Sequence, residues 1–269
     1  MLSRVISGVV LAVSIFSILL VCPPWGFHLV VVLAALIGAH EYSKMSRPDA
    51  ELWERWVFIG MCTAVVVWPL AQHVLPGYSH GIALSIGFFA MALLRLARPL
   101  PIETAMQRLS LDISGMLYLG ATFPFILLLR DRPAGEWFVL LSMIITFMSD
   151  TGAYFSGRFL GKHKLYPVVS PKKTIEGAVG GMIAATGSAY LFVSQVDALD
   201  FSLADCLVMG IVGSLFAIVG DLVESLMKRA FGVKDSGNLI PGHGGILDRV
   251  DALIFCVPFL WFYLEYLHT

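Results

Sequence analysis

Apolar residues fall into nine runs along this chain, at 5–22, 26–41, 56–75, 80–96, 113–129, 136–156, 175–195, 204–222 and 251–267. A helix needs about 20 mostly apolar residues to cross a bilayer. The second, fourth and ninth runs are short, but all nine come close to that length. None shows the in-out alternation over about ten residues that marks a membrane β-strand. In lipid, helices and closed barrels alone satisfy every backbone polar group, so the pattern predicts an all-α polytopic membrane protein with about nine transmembrane helices. The first run follows Arg4 and ends at Val21-Cys22. Val21 is too large for the small residue of a cleavage site, and a new run opens after Pro23 and Pro24, so a retained span is expected. Pro69, Pro124 and Pro258 lie inside runs and predict kinks.

Lysine and arginine set the orientation. With the N-terminus cytoplasmic, sixteen of the eighteen Lys and Arg residues fall inside, and only Arg130 and Arg132 lie outside. The reverse arrangement contradicts the positive-inside rule. Nine spans then put the C-terminus on the opposite side. The chain reads as one integral membrane domain, 1–269, with N-terminal spans in 1–130 and catalytic spans with cytoplasmic loops in 136–269. Two long polar connections, 157–174 and 223–250, share the cytoplasmic side. Loops of that length in a compact domain are usually functional.

Composition agrees. Of the 269 residues, 58% are hydrophobic and 14% charged, against about 25% charged in soluble domains. A net charge of −1 leaves no overall basic footprint for nucleic acid. Cys22, Cys62, Cys206 and Cys256 are far apart and form no CxxC pair. Zinc and redox motifs are therefore unsupported, and the four read as small buried hydrophobes.

The polar residues that carry chemistry gather in three places. From Asp221 to Asp251 the chain reads Asp221, Glu224, Ser225, Lys228, Arg229, Lys234, Asp235, Pro241, His243-Gly244-Gly245, Asp248, Arg249 and Asp251. Asp221, Glu224, Ser225 and Lys228 follow i, i+3, i+4, i+7 spacing and share a face if the eighth helix continues. Carboxylates in ones and twos, completed by substrate phosphates, are how Mg²⁺ is held. Glycines let backbone approach a ligand, and Lys228, Arg229, Lys234 and Arg249 offer charge to phosphate oxygens. The alternative is a solvated juxtamembrane loop, with Asp251 simply opening the ninth helix.

The second place is Ser170-Pro171-Lys172-Lys173-Thr174-Ile175-Glu176-Gly177. Ser-Pro reads as an N-cap with Pro at the first helical position. Lysines in a first turn have the wrong sign for the helix dipole unless an anion binds there. Positive-inside anchoring is the alternative. The third is Asp150 in the sixth run, on one face with Tyr154 and Arg158. An ionisable residue in a span is costly and usually functional, although pairing with Arg158 or plain packing would also place it there. Glu41, beside His40 at the end of the second run, reads equally as functional and as solvated. Gly177, Gly180, Gly181, Ala184, Ala185 and Ser188 give the seventh run small-xxx-small spacing. That suits close helix packing within the chain or in a homodimer, and no Gly-Lys-Ser/Thr phosphate loop follows.

The stretch Ser225-x-Met227-Lys228-Arg229-x4-Lys234-Asp235-x-Gly237-x2-Ile240-Pro241-x-His243-Gly244-Gly245-Ile246-x-Asp248-Arg249-Val250-Asp251 resembles the signature of the phosphatidate cytidylyltransferase (CDP-diacylglycerol synthase) family. The segment Ser170 to Gly177 is similar to a second segment of that family. The resemblance implies that CTP and phosphatidate react at a bilayer to give CDP-diacylglycerol and pyrophosphate. Lys228, Arg229, Lys234, His243 and Arg249 are then the expected catalytic cations. Ser170, Lys172, Lys173, Thr174, Glu176 and Ser225 are expected at substrate phosphates. Asp221, Asp248 and Asp150 are expected to hold Mg²⁺ or another hard divalent cation, with room for a second cation. The setting implied is a bacterial-type inner membrane with the site facing the cytoplasm. Two rivals are a related CTP-using transferase acting on another lipid and a transporter. A transporter should carry paired broken helices and polar residues near the midplane, whereas here, as against a passive scaffold too, the polar residues cluster at the cytoplasmic face and no internal repeat shows.

Overall fold

The computed structural model describes residues 13–71, 79–239 and 244–268. Its helices are α1 (described over 13–21), α2 (Pro24–Ser46), α3 (Leu52–Ala71), α4 (His80–Ala97), α5 (Ile102–Gly120), α6 (Pro124–Arg130) and α7 (Gly135–Phe159), followed by α8 (Ile175–Val193), α9 (Leu203–Ala230), α10 (Leu247–Val250) and α11 (Leu253–Tyr266). A hairpin of β1 (Lys164–Tyr166) and β2 (Ser170–Thr174) separates α7 from α8. Each predicted apolar run is mostly helical where it is described, with turns at 121–123 in the fifth and at the ends of the seventh and ninth. Among the described residues, six helical stretches are long and apolar enough to cross a membrane: α2, α3, α4, α5 continued through α6, α7 and α9. The protein is a helical, polytopic membrane protein. Pro69 and Pro258 lie inside α3 and α11, whereas Pro124 opens α6 after a turn at 121–123. At Pro124 the expected kink is a helix break. Cys62, Cys206 and Cys256 are buried, but Cys22 is exposed in the turn before α2, a correction to its reading as a buried hydrophobe.

The chain forms two compact units. The first comprises 1–128 and the segment 235–248. Its core stacks Tyr42 on Phe58, and Gly115 lets both rings lie against α5. Four charged side chains are also buried here. Arg47 Nη2 reaches Asp112 Oδ1 at 2.6 Å. Arg95 Nη1 reaches Glu54 Oε1 at 2.7 Å, and its Nε and Nη2 both donate to Asp112 Oδ2, at 3.1 and 2.9 Å. Two cations and two anions cancel, which makes the burial tolerable. Burial pulls the Arg47 guanidinium, in the turn after α2, below its ordinary value, and Asp112 opposes that drop. Arg47 and Arg95 were counted above among the cytoplasmic cations, yet both are pinned inside this network. Lysine cannot reproduce the three-donor fork. Arg95→Lys should therefore cost about 1–3 kcal/mol, the range for a buried polar group left without its partner, measured as a lower Tm in detergent.

The second unit comprises 129–234 and 249–269. Its core runs through Leu141 and Ile145 of α7, Ala185 and Ala189 of α8, Met209 and Ala217 of α9, and Cys256 and Leu260 of α11. The glycines of α8 set the spacing. A Cβ on Gly181 would lie 2.7 Å from the Ser149 carbonyl, and one on Gly180 would fall on Ser156 Oγ. Gly152 faces Ala184 across the same seam. The small-residue stripe is thus filled by α7 of the same chain.

Candidate active site

Helix α9 does not stop with its apolar run at 222 but continues to Ala230. That extension puts Asp221, Glu224, Ser225 and Lys228 on one face. Ser225 Oγ donates to Asp221 Oδ1 at 3.2 Å. Glu224 is fully buried and ion-pairs with Lys228 one turn on. Lys228 and Arg229 occupy the last turn, where cations suit the helix dipole, and Arg229 also donates to the Val233 carbonyl at 3.3 Å.

Ser170–Thr174 is a strand, not a first helical turn. It pairs antiparallel with β1, Lys164 opposite Thr174 and Tyr166 opposite Ser170. Thr174 is the true N-cap of α8, its Oγ1 accepting from Gly177 N at 3.1 Å. The dipole argument for an anion between Lys172 and Lys173 is thereby corrected. In a strand, neighbours point to opposite faces. Lys172 is exposed, while Lys173 Nζ meets Asp221 Oδ2 at 2.5 Å. Thr174 is buried as a cap. Glu176 accepts from Lys162 N at 3.0 Å and contacts His163 Nδ1 at 2.6 Å. These two side chains frame the hairpin, and Ser170 sits half-buried at the start of β2.

Asp150 and Asp221 each stand nine residues before the ends of their helices, Phe159 and Ala230. At 1.5 Å per residue both lie about 13 Å from those ends. Asp150 is exposed on its helix and is within electrostatic reach of Asp221, Lys173 and Arg249. Asp251 joins them, coupled to Asp221, Lys228 and Asp150. It sits where α9 has Gly220, because any Cβ there would strike the Asp251 carbonyl. The sequence left Asp251 open between this polar cluster and a helix opener, and it also stands just before α11, accepting from Ala252 N at 2.8 Å. Its three-residue spacing from Asp248 was the available signal.

Three carboxylates acting on one another favour a cation among them. Lys173 supplies one charge. Among the described residues no three His, Cys, Asp or Glu side chains form a ready-made metal cage. Mg²⁺, however, binds through one or two carboxylates plus substrate phosphates, and Asp150 and Asp221 fit that donor set.

Asp248 has a different setting, inside the first unit. Its Oδ2 accepts from Ser236 N, Ser236 Oγ and Gly245 N, each at 2.8 Å. Glu41, buried on α2, completes the arrangement. Its carboxylate accepts from Ile246 N and Leu247 N at 3.0 Å and from Ser236 Oγ at 3.2 Å. A Cβ on Gly237 or Gly245 would lie 2.5 Å from Glu41 Oε1, so a side chain at either would displace the carboxylate from its donors. Gly244 adopts a left-handed φ of 81°, which suits glycine alone. Glu41 thus templates the loop that carries the signature. Arg249 and Lys234 are exposed, and His243 lies outside the described residues.

Comparison with known proteins bears on this geometry. A model of the cytidylyltransferase family matches residues 2–267. The chain is 45% identical over 148 residues to a phosphatidate cytidylyltransferase of Staphylococcus saprophyticus, covering 55% of this chain and 56% of that one. It is 43% identical over 150 residues to the protein of that name from Staphylococcus aureus, with the same two shares. The counterpart in Staphylococcus epidermidis is 45% identical over 148 residues, again 55% and 56%. The chain spans about half the length of the curated relatives it matches.

Proposed function

The chain belongs to the cytidylyltransferase family, and from that membership we propose that it transfers CMP from CTP to phosphatidate, giving CDP-diacylglycerol and pyrophosphate for phospholipid synthesis. One observation carries the reading. Lys173 and Asp221 are paired beside Asp150 and Asp251, which gives an apolar helical protein a charge cluster suited to phosphates and a cation.

In this mechanism an oxygen of the lipid phosphate attacks the α-phosphorus of CTP. A new P–O bond forms in line as the bond from the α-phosphorus to the bridging oxygen breaks, and pyrophosphate leaves with the electron pair. The nucleophile is already anionic at neutral pH, so no base need remove a proton. The obstacle is the repulsion of two polyanions, and positioning with charge neutralisation answers it. Lys173 trades its Asp221 partner for a phosphate oxygen. Lys228, Arg229, Lys234 and Arg249 add positive charge along the same polar stretch, with Ser225 keeping the Asp221 carboxylate oriented. Asp221 and Asp150 are the residues that would hold Mg²⁺, and Asp251 adds negative charge beside them. When bound, such an ion neutralises phosphate oxygens and stabilises the leaving group. Asp248 keeps the signature loop in shape.

The reading includes nine spans, a cytoplasmic N-terminus and a site facing the cytoplasm of a bacterial-type inner membrane, supported by the distribution of lysine and arginine. In this reading 1–130 are the N-terminal spans and 136–269 the catalytic spans, and within the first unit α2 holds the 235–248 loop through Glu41. A homodimer would be built on a face other than the small-residue stripe of α8.

The experiment is incorporation of radiolabelled CTP into lipid by the purified protein. Label in CDP-diacylglycerol, dependent on phosphatidate and Mg²⁺, is expected. Label in an isoprenoid lipid instead, or none from folded protein, would overturn the proposal. Lys173→Ala is expected to raise the KM for CTP or phosphatidate about tenfold to a hundredfold, the worth of one charge-assisted hydrogen bond of about 1.5–3 kcal/mol. Unchanged KM values for both substrates would remove Lys173 from phosphate binding.

A further inference from the structure

Where α7 ends, the chain leaves the helix with its apolar side chains uncovered. Phe159 is 74% exposed and Leu160 65%, and in the hairpin that follows Tyr166 is 47% and Val168 84% exposed. Phe155 and Phe159 stack on each other at 6.5 Å. Contiguous apolar surface on a polar connection marks an interaction site. Arg158, Lys162, Lys164 and Lys172, all exposed, are interleaved with it along the chain. No Asp or Glu occurs from Tyr154 to Lys172.

The patch stands on a rigid base. Glu176 holds Lys162 N and His163, Ile175 N donates to the His163 carbonyl at 2.9 Å, and Gly157 and Gly161 pack on the buried Thr174 cap. It also continues the exposed apolar face of α7 at Phe147, Met148 and Phe155, the face such a span turns to lipid. Aromatic and aliphatic side chains interleaved with lysine at the end of a span have the composition of a membrane-interface anchor. Lysines beside a bilayer are drawn to anionic headgroups.

We propose that the β1–β2 hairpin, with Phe159 and Leu160, is an interfacial anchor for the phospholipid leaflet at that end of α7. Tyr166, Pro167 and Val168 seat at the headgroup–acyl boundary, and Lys162, Lys164 and Lys172 meet anionic headgroups. Because Lys173 shares strand β2, the anchor fixes its depth relative to the bilayer. That consequence rests on the proposed reaction, but the anchoring does not.

The test reads depth rather than activity. In a Cys22→Ser background of the full chain, Val168→Cys is labelled with an environment-sensitive fluorophore and reconstituted in phosphatidylglycerol–phosphatidylcholine nanodiscs. Gln195→Cys, in the exposed turn after α8, is the water-facing reference. Lipids carrying a quencher near the acyl carbonyl should quench the label at 168 severalfold more than a water-soluble quencher, with the order reversed at 195. Stronger quenching from water at 168 overturns the proposal. So does protection from both quenchers, which would mean that protein, such as a second copy, covers the patch. Lys162→Gln with Lys164→Gln should abolish the extra lipid quenching that phosphatidylglycerol gives over phosphatidylcholine alone. An undiminished difference overturns the headgroup assignment. Either failure leaves the nucleotidyl-transfer reading untouched.

Discussion

Asp221→Asn is expected to fold normally and to lose about a thousandfold in turnover, the size of a metal-type charge stabilisation of about 4 kcal/mol at roughly 1.4 kcal/mol per decade. Asparagine keeps the shape and an oxygen for the Ser225 hydroxyl. What disappears is the negative charge that Lys173 and a divalent cation both use. The measurement is kcat for CTP-dependent lipid labelling, alongside Tm and size-exclusion behaviour. Asp221→Asn combined with Lys173→Ala should be scarcely worse than Asp221→Asn alone, because contacting residues in one network do not add. Near-normal turnover in Asp221→Asn, or strict additivity in the double variant, removes the pair from the centre of the mechanism.

How far the sequence could be read depended on whether the deciding contact was local. Helices were legible because apolar runs in lipid have few alternatives to helix. The face made by Asp221, Glu224, Ser225 and Lys228 was legible too, since its spacing is a property of one helix. The hairpin was not. Ser170-Pro171 carries a good local signal for a helix start, but the cap sits four residues on, at Thr174, because the chain pairs across to Lys164 first. A strand then separates Lys172 from Lys173, which a helix turn would have kept together. Arg47 and Arg95 looked like topology markers because lysine and arginine near span ends usually are. Their partners, Glu54 and Asp112, come from other helices and leave no trace in local spacing. The setting of Asp248 was hidden for the same reason. Its donors on Ser236 and Gly245 are loop backbone and a hydroxyl, which compose a turn that spacing along the chain does not announce.

Glu41 is the sharpest case of a residue whose role is invisible until the chain is folded, and it carries the second prediction. Glu41→Gln should leave the helices of the first unit folded and reduce turnover about a hundredfold, the loss of one strong charge-assisted hydrogen bond of about 3 kcal/mol. The substitution is nearly isosteric, so cavity effects are small. Its electrostatics are not conservative. Both carboxylate oxygens accept, Oε1 from Ile246 N and Oε2 from Leu247 N and Ser236 Oγ. An amide must turn an N–H toward one of those donors, leaving buried groups of like polarity face to face. The backbone at Gly237 and Gly245 packs beside the carboxylate and leaves it little room to turn away. The loop should therefore open locally, and hydrogen exchange read by mass spectrometry should show lost protection at 244–248 with protection in α3 and α5 retained. Ser236→Ala, which removes one hydroxyl and leaves both backbone donors to Glu41, should cost about tenfold or less. Equal protection of the loop in parent and Glu41→Gln would mean that the signature holds its shape without the Glu41 carboxylate.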